Sequence, residues 1–219
     1  MSMIGWVQAL SSAQIAALRA KPSRAEALAF TAEEANRAAT LDEVLNGMPP
    51  EQREAAQARR RAQAETPGAK ALEAQRVKMR AEIDPFGPFE PAVDLEKSWH
   101  MLHYLFTGHV DEANAPGNAL LTGEEIGGDV GYGPCRLHDV AATAVFAEFL
   151  TSLDVARLQA RVNYRAMSQM QVYAMPRGRG SDAEFEGELR TEVGFYFPRL
   201  RDYVAATAAR HGGLLIWIS

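Results

Sequence analysis

Apolar residues along this chain fall into short runs separated by long polar, helix-forming stretches. Met3–Leu10 is rich in Ile, Trp and Val and ends at Ser11–Ser12, so it reads as a strand. Ser11 with Gln14 forms a capping-box pattern, which opens a helix that should stop before Pro22. Ser23 with Glu26 repeats that signal, Thr40 with Glu43 repeats it again, and Gly47 with Pro49–Pro50 closes the region. Glu51–Glu82 is dominated by Ala, Arg, Glu and Gln, all good helix formers, and breaks at Thr66-Pro67-Gly68. This predicts a helical hairpin. Its apolar face is thin, with Ala55, Ala58 and Ala62 on one arm and Leu72, Val77 and Met79 on the other. Residues 48–82 are therefore expected to form an exposed insertion, mobile or used in oligomerisation. Acidic residues interrupt the surroundings of Arg59-Arg60-Arg61, which favours a solvated helix face over a nucleic-acid site.

Ile83–Pro91 is punctuated by Pro85, Gly87, Pro88 and Pro91, so it should be a fixed loop pinned by Phe86 and Phe89. Asp94 is the expected N-cap of the next helix, over Leu95–Gly108. A polar loop should follow Gly108 as far as Gly117. Asn118–Thr122 and Gly133–Leu137 read as strands flanking a glycine run. His138 or Asp139 should start a helix whose stripe is Val140, Val145, Phe146, Phe149 and Leu150. A second short helix is expected over Leu153–Val162, and a turn over Pro176–Gly180. Asp182–Arg210 reads as a helix kinked or divided by Pro198, with Phe185, Leu189, Phe195, Tyr196, Leu200 and Tyr203 as core positions. Leu214–Ile218 is apolar on both faces, as a central strand should be. The layout is α+β: a small mixed sheet carrying the N- and C-terminal strands, packed with several helices, in one domain over residues 1–219.

Four stretches carry a family resemblance: the opening MSMIGWVQALS, the helix LEKSWHMLHYLFTG, the segment EEIGGDVGYGPCRL, and a long C-terminal helix closing in HGGLLIWIS. In order and spacing they resemble the YfbM-like family, bacterial proteins of unknown function. The resemblance covers about the first twenty residues and then Val93 to the end. It implies a compact α+β domain and transfers no catalytic role. The chain departs from the family pattern in the long Glu51–Glu82 stretch and at Cys135, where a small apolar residue is usual.

Composition narrows the function classes. With 219 residues and 47% hydrophobic content the chain can bury a sizeable core, and a net charge of -5 argues against general nucleic-acid binding. Cys135 is the single cysteine, so an internal disulfide is not possible. The opening segment lacks a basic leader with a long apolar stretch, and no run is long enough to cross a bilayer. A cytoplasmic location, without membrane attachment, is expected.

Two segments could carry chemistry. At about 100° per residue, Leu95, Trp99, Leu102 and Phe106 share one buried helix face. Glu96, His100, His103 and Thr107 then line the border between core and solvent. This edge could serve structure, ligand or partner binding, or acid–base work. It lacks an HExxH pattern and an obvious third ligand, so no metal site is expected. The second segment is the run Gly127, Gly128, Gly131 and Gly133, whose amides could hold an anion, with Asp129, Tyr132 and Arg136 as its polar groups. No Lys-Ser/Thr and no helix follows, so a connection between strands is favoured over a phosphate loop. Arg136 should point away from Cys135 and Leu137. Cys135 itself reads as a buried, inert thiol.

No complete catalytic set and no cofactor motif is present. The first functional expectation is a non-catalytic module that binds another protein, such as a secreted toxin or a cellular regulator. The alternative is an enzyme or small-ligand receptor using the His100/His103 edge and the Gly127–Gly133 loop, which requires both in one cleft. A third is a scaffold or oligomer built through Glu51–Glu82; the sequence leaves the oligomeric state open.

Overall fold

A computed structural model describes residues 3–111, 113–114 and 116–219. Met1 and Ser2 of the opening motif, and Glu112 and Ala115 of the polar loop after Gly108, lie outside the described residues.

The elements run β1 (Gly5–Leu10), α1 (Ser12–Ala20), α2 (Ser23–Gly47), α3 (Pro50–Ala64), α4 (Pro67–Ile83), a 3-10 turn (Asp84–Phe86), β2 (Val93–Asp94), α5 (Ser98–Thr107), β3 (Glu124–Asp129), β4 (Pro134–His138), α6 (Val140–Ser152), α7 (Val155–Ala160), α8 (Tyr164–Gln169), α9 (Asp182–Ala209) and β5 (Gly213–Ile218). The strands form one sheet in the order β2-β1-β5-β4-β3. The architecture is α+β, with the N- and C-terminal strands side by side at its centre. Every described strand pair is antiparallel, so the sheet is not mixed in direction.

The central strands explain the two cores. All six residues of β1 and all six of β5 are buried. Side chains alternate across a strand, so one face carries Val7, Leu214, Ile216 and Ile218 and the other carries Trp6, Leu10, Leu215 and Trp217. The first face packs against α5, α6 and α9 through Trp99, Leu102, Phe106, Phe146, Leu150, Val193, Phe197 and Leu200. The second packs against α1 and the first half of α2 through Ile15, Leu18, Ala25 and Leu28, and also takes Ile126, Cys135 and Leu137.

Several local signals act as the residues suggest. Ser11 and Gln14 make a reciprocal capping box at α1, and Thr66 accepts from the Ala69 N–H to open α4 after the break in the hairpin. Asp139 caps α6 through the Ala142 N–H.

Others do not. Ser23 is the first helical residue of α2 and makes no cap, while Glu26 is spent on a distant glycine N–H. Thr40 and Glu43 lie inside α2, which runs on unbroken to Gly47. Asn118–Thr122 is not a strand: the Asn118 carbonyl accepts from Leu121 and Thr122, folding the segment into turns. The strand paired with β4 is instead Glu124–Asp129, which takes in Gly127 and Gly128. Asp94 does not cap α5, whose flanking residue is Lys97 with no side-chain bond; Asp94 lies in β2 and accepts from the Glu96 N–H at 2.7 Å. Pro198 does not divide α9. Val193 and Phe197 before it and Leu200 after it are fully buried, and that anchorage on both sides outweighs one lost backbone bond. Val145 and Phe195 are about half exposed, at 54% and 47%, and so are not core.

Candidate functional site

The edge of α5 holds its imidazoles differently from the sequence expectation. Trp99 is buried, as its spacing requires, but His103 is fully buried as well and does not stand at the rim. The reason is the chain after Gly108, which folds back over the helix. The His100 Nε2–H donates to the Val110 carbonyl and the His103 Nε2–H donates to the Asp111 carbonyl, both at 2.8 Å. His100 Nδ1 accepts the Tyr173 N–H at 2.8 Å, so both of its ring nitrogens are engaged. His103 Nδ1 has no partner among the described residues. Burial pushes both imidazoles below the ordinary histidine range, against the opposing effect of the carbonyls they bond. Thr107 donates to the His103 carbonyl, while Glu96 sits in the turn before α5, exposed and with φ +48°.

The β3–β4 hairpin lies with the other core. The amides of Gly128, Gly131 and Gly133 are already claimed by carboxylates of the chain. Asp129 Oδ1 accepts from Gly131 at 2.7 Å and Gly133 at 3.1 Å, and Glu26 Oε1 accepts from Gly128 at 2.6 Å. Gly131 has φ +139°, and a Cβ there would lie 2.9 Å from Ser219 Cα, so only glycine fits where the hairpin crosses the end of β5. Tyr132 is exposed. Arg136 alternates away from Cys135 and Leu137, with one buried guanidinium nitrogen unpartnered among the described residues. Trp99 and Ile126 thus belong to cores on opposite faces of the sheet, and the structure does not bring the two candidate segments together. Cys135 is fully buried; burial, with Glu26 nearby, pushes its thiol up to about 12. Among the described residues no group of three or more His, Cys, Asp or Glu is placed to hold a metal ion, and no helix is long and apolar enough to cross a membrane.

A cavity of about 450 Å³ opens between α2 and the loop that follows α4. The loop cannot close it, because the loop is tied to the rest of the molecule. Arg24 stacks over the Phe86 ring at 4.1 Å, and Gln8 Nε2 donates to the Glu90 carbonyl at 2.7 Å. Tyr203 Oη donates to the Pro91 carbonyl at 3.0 Å, and Arg210 pairs with the Glu90 carboxylate. Across the gap, α2 presents Ala32, Ala35 and Ala39, at helical spacing and too small to fill it. Sequence reasoning missed this site. The Pro/Gly loop and the alanine spacing were both visible, but not that they face each other.

The third feature is the α3–α4 arm. No residue of α3 is buried, and α4 buries only Ile83. Residues 50–83 carry eight Lys and Arg against five Glu, whereas the remainder carries fifteen basic against twenty-three acidic side chains. Leu72 and Val77 of α4 are exposed at 40% and 58%.

The family model described as "Domain of unknown function (DUF1877)" matches residues 1–217. Among solved structures, a protein of unknown function, YfbM from Escherichia coli, is similar over 99% of each chain, with 18% identity and a TM-score of 0.53, a likeness of fold. No curated protein matches the chain.

Proposed function

The chain belongs to the DUF1877 family of domains of unknown function, and from its surface chemistry we propose that it is a non-catalytic protein-binding module that presents the α3–α4 arm to an acidic partner. The observation that carries this is the arm's character: a positive excess on an otherwise acidic protein, in a helix that buries none of its fifteen residues. A helix gains most of its stability from packing one face, and α3 has most of its surface free to take a partner. Arg59, Arg60 and Arg61 are exposed; Arg60 reaches Asp42 only at 4.0 Å, and Arg59 and Arg61 form no ion pair among the described residues. We take residues 1–219 as one domain, with 48–82 as its helical-hairpin insertion.

The test compares capture by the full chain with capture by the triple variant Arg59→Glu, Arg60→Glu, Arg61→Glu, using extract from the native host and quantitative mass spectrometry. The positions are exposed, so the variant should fold as wild type. The proposal expects an acidic protein retained by wild type, reduced at least about tenfold by the reversal and released by added salt, because exposed charges are screened within about 10 Å at 0.1 M. Partners retained equally by both proteins, or no partner distinguishing them, would refute the arm as the binding surface.

A further inference from the structure

We propose that the cavity between α2 and the 83–92 loop is a binding site for a small, largely apolar molecule that carries one N–H or O–H donor, which it directs to the side-chain oxygen of Gln8. This does not depend on the role given to the arm.

The cavity is built, not a packing flaw. At about 450 Å³ it falls within the range of small-molecule sites, roughly 300–1,000 Å³. A void left by poor packing would collapse as neighbouring side chains relaxed, yet here both walls are fixed. One wall is a long helix anchored in the core through Ala25, Ala27, Leu28 and Ala29. The other is the loop, whose carbonyls and rings are tied back by Gln8, Arg24 and Tyr203. Its two walls are mainly alanine, proline and phenylalanine, with Leu28 and Ile83 in the depth. That lining selects an apolar body.

Gln8 supplies the specificity. It lies on β1 and is 1% exposed, yet it lines the cavity. Its Nε2 donates to two carbonyls, Ala9 at 3.1 Å and Glu90 at 2.7 Å, and this fixes which end of the amide is nitrogen. The oxygen has no donor among the described residues. Gln8 lines the cavity, so this oxygen is an acceptor available to a ligand donor, and a ligand of the same shape without a donor would cover it and leave it unpaired. On the α2 wall the Thr31 hydroxyl donates to the Ala27 carbonyl and the Asn36 amide nitrogen to Asp94, so the donors of these two groups are engaged within the chain. An acceptor with a free lone pair in an apolar pocket therefore discriminates in favour of molecules that bring a donor, and against those of the same shape without one.

The probes are N-phenyl-1-naphthylamine, an apolar fluorophore with a single N–H, and its N-methyl analogue, which has nearly the same body and no donor. Each is titrated against the full chain by fluorescence. The expected result is saturable enhancement with the N–H probe and binding about tenfold weaker with the N-methyl probe. Ala35→Phe fills the mouth from an exposed helix position that leaves the core alone, and should weaken both probes at least about tenfold. Gln8→Met keeps the side chain's length and removes the oxygen together with the Nε2 tie to the Glu90 carbonyl; whatever the freed loop does to the affinity common to both probes, the ratio between them should fall to about one. Unfolding of Gln8→Met, checked by circular dichroism, would leave the wild-type probe pair and Ala35→Phe to decide. Absence of saturable binding, or binding indifferent to Ala35→Phe, overturns the site. Equal binding of the two probes to wild type overturns the role of Gln8.

Discussion

Trp217→Ala is expected to destabilise the protein by about 4 kcal/mol, within the 3–5 kcal/mol found when a large buried aromatic is cut to alanine. Trp217 sits in β5, flanked on both sides by neighbouring strands, and is fully buried. Its ring stacks on Trp6 with centroids 5.9 Å apart and planes 7° from parallel. Its indole N–H donates to Glu33 Oε1 at 2.9 Å, which ties the sheet to the middle of α2. Truncation removes the packing, leaves a cavity facing Trp6, and strips Glu33 of its indole donor, though Arg37 remains paired with that carboxylate at 3.2 Å. Trp217→Phe keeps most of the ring and should retain the larger part of the stability. Guanidinium unfolding with an unchanged slope would read the loss as a shift in midpoint. A loss below about 1 kcal/mol for Trp217→Ala would contradict the central placement of this side chain.

Gly5→Ala should cost about 3 kcal/mol, the upper end of what overpacking a core usually costs. The residue lies in β1 directly against Trp99 of α5. An added Cβ would stand 2.5 Å from Trp99 Cβ and 2.7 Å from its Cγ. Neither atom is the mobile tip of a side chain, so the helix itself must shift. That shift would disturb the bond from the Trp99 indole N–H to the Met3 carbonyl, 3.3 Å long, and the backbone bonds of Gly5 to Leu95 and Glu96. The backbone at Gly5 is ordinary extended strand, so the penalty is steric and not conformational. Thermal unfolding of the variant at matched concentration would show it. A neutral substitution would mean that α5 does not press on β1 here.

Where the sequence could be read, the signal was local or doubly apolar. Strands β1 and β5 were legible because runs such as Leu214–Ile218 suit only a position covered on both faces. The cap at Ser11 and the helix start at Asp139 were legible because the bond partners lie within three residues. Thr40 and Glu43 offer the same pattern, but α2 continues through them, since a cap needs the preceding residues to leave the helix and nothing there makes them do so. Strand β3 was illegible for the opposite reason. Glu124 and Glu125 are exposed at the sheet edge, and an edge strand so polar has no hydrophobic signature. Ala119 and Leu120 are apolar and buried, which mimics a strand, although the backbone turns at Asn118. The cavity beneath the 83–92 loop could not be read at all. It arises from two segments about fifty residues apart, held open by Arg24 of α2 itself and by Gln8, Tyr203 and Arg210 from elsewhere in the chain. The burial of His103 was equally hidden, because it depends on a loop folding back over the helix that carries it.

In that fold-back the two imidazoles of α5 are neutral framework groups, and their Nε2–H bonds to the Val110 and Asp111 carbonyls hold the chain after Gly108 in place. Their folded pKa values lie below the unfolded ones, so protonation favours the unfolded state. The stability tied to them is present above the ordinary histidine range near 6.5 and is lost as pH falls below it toward the depressed folded values. A long-range ¹H–¹⁵N spectrum of the histidine rings, recorded as the pH is lowered from 8, tests this directly. Both rings should show the proton on Nε2, with Nδ1 unprotonated, and should titrate below 6.5, accompanied by falling stability. Rings that carry the proton on Nδ1, or that titrate at the ordinary value with no change in stability, would contradict it.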